Sequence, residues 1–135
     1  MSETKKLFLN GFSMYLDKIE YYFIQNPKGD ELQVHATEKY TLIKCTKKDF
    51  IIEVKRIVEF EPNYFKVMAT ANVLFAIDEK TFDALPTKKD IEKYINENIK
   101  SIINKTPVGN GLALLIGQIT SSFGNVPVIT PGNME

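Results

Sequence analysis

The chain has 135 residues, 44% of them hydrophobic and 25% charged, the size and composition of one domain with its own core. Lys plus Arg and Asp plus Glu each total 17, so the net charge is zero and no basic excess points to a nucleic-acid partner. A single cysteine, Cys45, excludes an internal disulfide and fits a reducing compartment, and a single histidine, His35, excludes a multi-histidine metal site.

Near the N-terminus, Lys5 and Lys6 precede only Leu7-Phe8-Leu9, too short an apolar stretch for a secretory signal. The longest helical apolar run, Leu112 to Ile116, falls far short of the roughly 20 residues that span a bilayer. The expectation is a soluble, cytoplasmic protein with no membrane insertion.

Residues from about 12 to 77 read as a strand-rich half, dense in aromatic and β-branched types between marked turns. The first strand runs from about Phe12 to Asn26, carries Phe12, Tyr15, Tyr21, Tyr22 and Phe23 on both faces, and stops at Asn26-Pro27-Lys28-Gly29-Asp30. The second, Leu32 to Cys45, sets Leu32, Val34, Ala36, Tyr40 and Leu42 on one side and Gln33, His35, Thr37 and Lys39 on the other. After a turn at Lys47-Lys48-Asp49, Phe50, Ile52, Val54, Val58 and Phe60 alternate with Glu53, Lys55, Glu59 and Glu61. Arg56 is the one break in that apolar row. Glu61-Pro62-Asn63 turns the chain into a fourth strand whose apolar face runs from Phe65 through Val67, Ala69, Ala71, Val73 and Phe75 to Ile77. The pattern predicts an antiparallel meander of about four long strands.

Residues 78–86 connect the sheet to a helical half. Thr87 and Asp90 make a capping-box-like start, and Ile91, Tyr94, Ile95, Asn98, Ile99, Ile102 and Ile103 form one stripe with a single polar interruption. Asn104 to Pro107 ends this predicted helix. The last helix, about Val108 to Phe123, is apolar around most of its circumference, so it needs cover on more than one side. In a domain with one sheet, the second cover is expected to be another subunit or a ligand. Gly124 suits a helix end, and residues 125–135 read as an extended tail through Val126-Pro127-Val128-Ile129-Thr130-Pro131. Strands followed by helices predict a single α+β domain, a four-stranded sheet with two helices packed on one side.

Catalytic patterns are missing. His35 reads as a solvated strand residue and Cys45 as a small half-buried thiol without a histidine at a useful spacing. Gly109-Asn110-Gly111 before a helix lacks the further glycines and the Lys-Ser/Thr of a phosphate loop, and reads as a flexible helix start. Glu20, Glu53, Glu59 and Glu61 read as separate solvated acids. The expectation is a protein that is no enzyme and needs no cofactor or metal. Its aromatic residues exceed what one inner sheet face can hold, and those left outside mark an interface or binding groove.

Three features together resemble the SecB-type protein-export chaperones and their relatives, including solitary forms paired with toxin–antitoxin systems. They are the long-strand half before the helices, the apolar last helix from Thr106-Pro107 to Ser122-Phe123-Gly124, and the ending Val126-Pro127-Val128-Ile129-Thr130-Pro131-Gly132-Asn133-Met134. The resemblance implies an ATP-independent holdase that assembles as a tetramer, a dimer of dimers, and binds unfolded or extended polypeptides in apolar grooves. On that footing Tyr22, Phe23, Ile24, Phe60, Tyr64, Phe65 and Leu112 are the candidate peptide contacts, and Leu115, Ile116 and Ile119 the candidate interface or core. The family's acidic face for its export motor ATPase has no counterpart, since the strand acids here alternate with Lys18, Lys39, Lys44, Lys55 and Lys66. No residue is carried over for that partner. Two other readings fit the same residues: an α+β roll holding a small apolar ligand, hot-dog-like or built round a lipid cavity, and an oligomeric scaffold without chaperone activity.

Overall fold

The computed structural model describes residues 7–23, 33–61 and 65–123. Four antiparallel strands form one sheet: β1 (Leu9–Phe23), β2 (Gln33–Cys45), β3 (Asp49–Glu61) and β4 (Phe65–Ile77). A helical layer follows: the short α1 (Thr81–Ala84), then α2 (Lys88–Glu97), α3 (Ile99–Asn104) and α4 (Val108–Phe123). This is the α+β sheet-and-helix arrangement that the alternation and its later change of period predict. Among the described residues no helix is long and apolar enough to cross a membrane.

The strand order is β1-β4-β3-β2. The meander proper is therefore β2 to β4, and β1 joins its far edge against β4. A four-strand meander in chain order would set β1 beside β2; alternation marks each strand's buried face but not its neighbours, and the ladder places β1 against β4. β1 and β2 are thus the two edges of the sheet and do not pair with each other. The predicted Asn26–Asp30 and Glu61–Asn63 turns lie wholly or partly outside the described residues. So do Gly124 and the tail.

One face of the sheet packs on the helices. β3 supplies Phe50, Ile52, Val54 and Val58, and β4 supplies Val67, Ala69, Ala71, Val73, Phe75 and Ile77. Ile91 and Ile95 of α2, Ile102 and Ile103 of α3, and Val108, Leu112 and Ile116 of α4 close over them. The other face carries exposed Thr37 and Lys39, with Thr70 and Asn72 buried at its centre.

Two bulges shape β1, at Leu9/Gly11 and at Leu16/Lys18. The second leaves Asp17 without a partner and changes which residues face the helices. Before it, Phe12, Met14 and Leu16 stand opposite Phe75, Val73 and Ala71; after it, Ile19 and Tyr21 stand opposite Ala69 and Val67.

The predicted helix from Thr87 to Asn104 is two helices. Asn98 leaves helical geometry at φ −123° and ψ 18°, and its side-chain amide donates to the Tyr94 carbonyl at 2.8 Å. A short polar side chain that bonds its own backbone competes with the helix, and the polar gap in the apolar stripe is where the break falls. The capping box is present as expected: the Asp90 amide donates to Thr87 Oγ1 at 3.1 Å, and the Thr87 amide donates to Asp90 Oδ2 at 3.3 Å. Thr87→Ala should therefore lower stability by about 1 kcal/mol, as a lost N-cap usually does. A urea unfolding curve with unchanged slope and a lower midpoint would show it; an unmoved midpoint would mean the cap adds nothing.

Candidate binding surface

The helices cover β3 and β4 more fully than β1. On the helix side of β1, Phe12, Met14 and Leu16 remain 47%, 39% and 50% exposed. From Phe12 to Leu16 the edge strand carries no charge, whereas such edges are usually guarded by charge or proline. Protection comes only beyond Leu16, where the bulge at Asp17 breaks the ladder and Lys18 and Glu20 follow.

Between this strip and α4 lies an open groove of about 190 Å³, lined by Met14, Leu16, Ala71, Gly111, Leu112 and Leu115 among others. A Cβ placed on Gly111 would meet nothing within 4 Å, so the groove is open at that turn of the helix. A second hollow of about 120 Å³ lies further along β1, where Leu9 and Phe12 meet Phe75, Tyr94 and Ile102. Leu114 stands 65% exposed on α4, so part of that helix's apolar surface is uncovered.

Of the sequence-predicted contacts, Leu112 and Tyr22 lie on opposite sides of the sheet. Leu112 is 2% exposed and belongs to the core, reaching the groove only as its lining. Tyr22 is exposed on the opposite face of the sheet, paired across from Lys66, and its hydroxyl donates to Glu20. That hydrogen bond, then Lys18 at 3.1 Å, holds the Glu20 carboxyl below its usual range, while Glu20 pushes the Tyr22 hydroxyl up. Phe23 and Phe65 are register partners on β1 and β4, and Phe60 pairs with Val34. Ile24 and Tyr64 lie outside the described residues. Of the three helix residues, Ile116 is fully buried core, and Leu115 and Ile119 are half-buried. Gly109, Asn110 and Gly111 form the first turns of α4, in place of a flexible stretch before it.

Beneath the groove wall lies a polar cluster around Arg56, which the sequence shows only as a break in the apolar row of β3. Arg56 of β3 is fully buried. Its Nε and Nη2 donate to Glu38 Oε2 at 2.6 and 2.5 Å, from a Glu38 side chain only 4% exposed on β2. Tyr40 donates its hydroxyl to Glu38 Oε1 at 2.5 Å, and burial, then that bond, pushes the phenol's pKa up. Arg56 Nη1 donates to the Gly109 carbonyl at 3.3 Å, reaching from the sheet into the first turn of α4. The two charges are direct register partners. Glu38 falls in the apolar row of β2 as Arg56 does in that of β3, so matched breaks of opposite sign were the signal available.

Cys45 is half-buried, and burial pushes its thiol pKa up, which suits an inert group and not a nucleophile. His35 is exposed. Among the described residues no group of three His, Cys, Asp or Glu could hold a metal ion.

No family model and no curated protein matches the sequence. Among solved structures, the chain is similar in fold to a SecB-like chaperone of Mycobacterium tuberculosis, solved in complex with a ChAD peptide from the HigA1 antitoxin. The two align with a TM-score of 0.64 at 10% identity, over 88% of this chain and 86% of that one. A protein of unknown function from Streptococcus agalactiae aligns over 90% of this chain and 98% of its own at 10% identity, with a TM-score of 0.34, too low to compare the folds.

Proposed function

We propose that this SecB-like fold serves as a non-enzymatic, ATP-independent holdase that binds unfolded or extended polypeptides along β1. The observation that carries the reading is the uncharged apolar strip Phe12–Leu16, left open on an edge strand beside the groove under α4. An extended chain can pair its backbone with such an edge while its apolar side chains enter the groove. The fold neighbour, a chaperone solved with a bound peptide, lends the same support. A tetramer in the cytoplasm is part of this reading, since Leu114, 65% exposed on α4, would then find cover between subunits while the β1 edge stays open to a client.

Light scattering of the purified chain, alone and during refolding of an aggregating client, tests this directly. A stable tetramer that suppresses aggregation without ATP supports it, and a monomer or dimer without effect ends it. Leu16→Glu and Gly111→Leu are expected to fold normally, since one side chain is half-exposed and the other position faces open space. Each should weaken binding of a reduced, carboxymethylated unfolded protein at least about tenfold, or about 1.4 kcal/mol. Loss of binding in Tyr22→Ala, with both groove variants intact, would move the site to the other face of the sheet.

A further inference from the structure

We infer that the buried Glu38–Arg56 pair is a tether that fixes the first turn of α4 above the sheet and so sets the opening of the β1–α4 groove. Both are positioning residues that touch no ligand. The importance of the groove rests on the function proposed above, whereas the tether itself does not.

Arg56 is the link because it belongs to the sheet and bonds the helix, through Nη1 to the Gly109 carbonyl. A helix N-terminus carries partial positive charge and repels a cation, so a lone guanidinium there would push α4 away. Glu38 removes that repulsion, with one oxygen on Nε and Nη2 and the other held by the Tyr40 hydroxyl. On β4 the register partner of Arg56 is Ala69, and the next residue on that face is Ala71, which lines the groove. Neither is large enough to prop the start of α4. The reach of Arg56 therefore helps set the height of the helix over β4. The same turns of α4 contribute Val108, Gly111 and Leu112 to the groove, so a shift at Gly109 alters its wall.

Amide hydrogen exchange on the full chain tests the tether in two variants. Arg56→Lys keeps the charge opposite Glu38 but loses the planar fork that serves both Glu38 and Gly109. The double variant Glu38→Leu/Arg56→Met removes pair and tether together and leaves no unpaired buried charge, so it is expected to fold. In both, exchange at the amides of 111–115 should quicken about tenfold, as expected for losing a hydrogen bond to a charged donor. The Ile91 and Ile95 amides of α2 should keep their rates. Unchanged exchange at 111–115 in either folded variant overturns the tether. Binding of the carboxymethylated unfolded protein supplies the second readout and should weaken in parallel. Faster exchange in a chain whose unsubstituted form binds no such protein would uphold the tether and sink the chaperone reading. Faster exchange with unaltered binding would overturn control of the groove.

Discussion

Glu38→Ala is expected to destabilise the chain by about 3–5 kcal/mol, the usual result of leaving one buried charge without its partner. The Glu38 side chain is 4% exposed and Arg56 fully buried, so water cannot take the place of the lost carboxylate. Tyr40 would lose its acceptor at the same time. Exposed pairs such as Lys88–Glu92 at 3.6 Å and Lys66–Glu59 at 3.7 Å should matter far less, because solvent screens them. The contrast separates burial from mere pairing. Equilibrium unfolding in urea gives both values, and a loss at Glu38 no larger than that of Glu92→Ala would show that water reaches the pair. The Glu38→Leu/Arg56→Met variant should recover most of the loss, which assigns the cost to the stranded charge and not to a missing attraction.

Phe75→Ala should cost a similar amount, about 3–5 kcal/mol, for a different reason. Phe75 is 1% exposed and stacks on Phe50 with ring centres 4.7 Å apart and planes 14° from parallel. It is also the register partner of Phe50 on β3 and of Phe12 on β1, so its ring joins three strands. Truncation leaves a cavity in the middle of that row, and its neighbours are held by the sheet and cannot collapse into it. Phe12, with its ring centre 6.2 Å from that of Phe75, is 47% exposed, and Phe12→Ala should cost clearly less. Thermal or urea unfolding of both variants at low protein concentration makes the comparison. Equal losses would mean that Phe12 is buried in solution by another chain.

The sequence made the strands and the capped start of α2 legible, because each rests on a period or a local pair. Phe50, Ile52, Val54 and Val58 alternate and are all buried, and Thr87 with Asp90 forms the cap that its spacing promised. What the sequence hid were facts about neighbours. Nothing in β1 says that it docks on β4, since pairing of strands this far apart leaves no local pattern. The aromatic residues on both faces of β1 looked like an excess until the bulge at Asp17 explained them: the inward row shifts from even to odd positions there, leaving Tyr22 outside and Tyr21 inside. The candidate site suffered most from this. Tyr22 and Leu112 were grouped by chemistry alone, whereas the sheet separates them, and the open strip at Met14 and Leu16 follows from where the helices stop. Arg56 was visible as an interruption, but its partner Glu38 became visible only with the register of β2 on β3.

The position of β1 also bears on how the chain folds. Its ladder with β4 joins residue 9 to residue 77 and residue 23 to residue 65, whereas β3 follows β2 and β4 follows β3 directly. Closing a long loop costs more entropy than closing a short one, so the β2–β3–β4 hairpins are favoured to form first. The strand made earliest on the ribosome must then wait for the partner made latest among the four. Until β4 emerges, the uncharged run from Phe12 to Leu16 is an unsheltered apolar segment of a nascent chain. During its own synthesis the protein thus passes through the condition of the polypeptides it is proposed to hold.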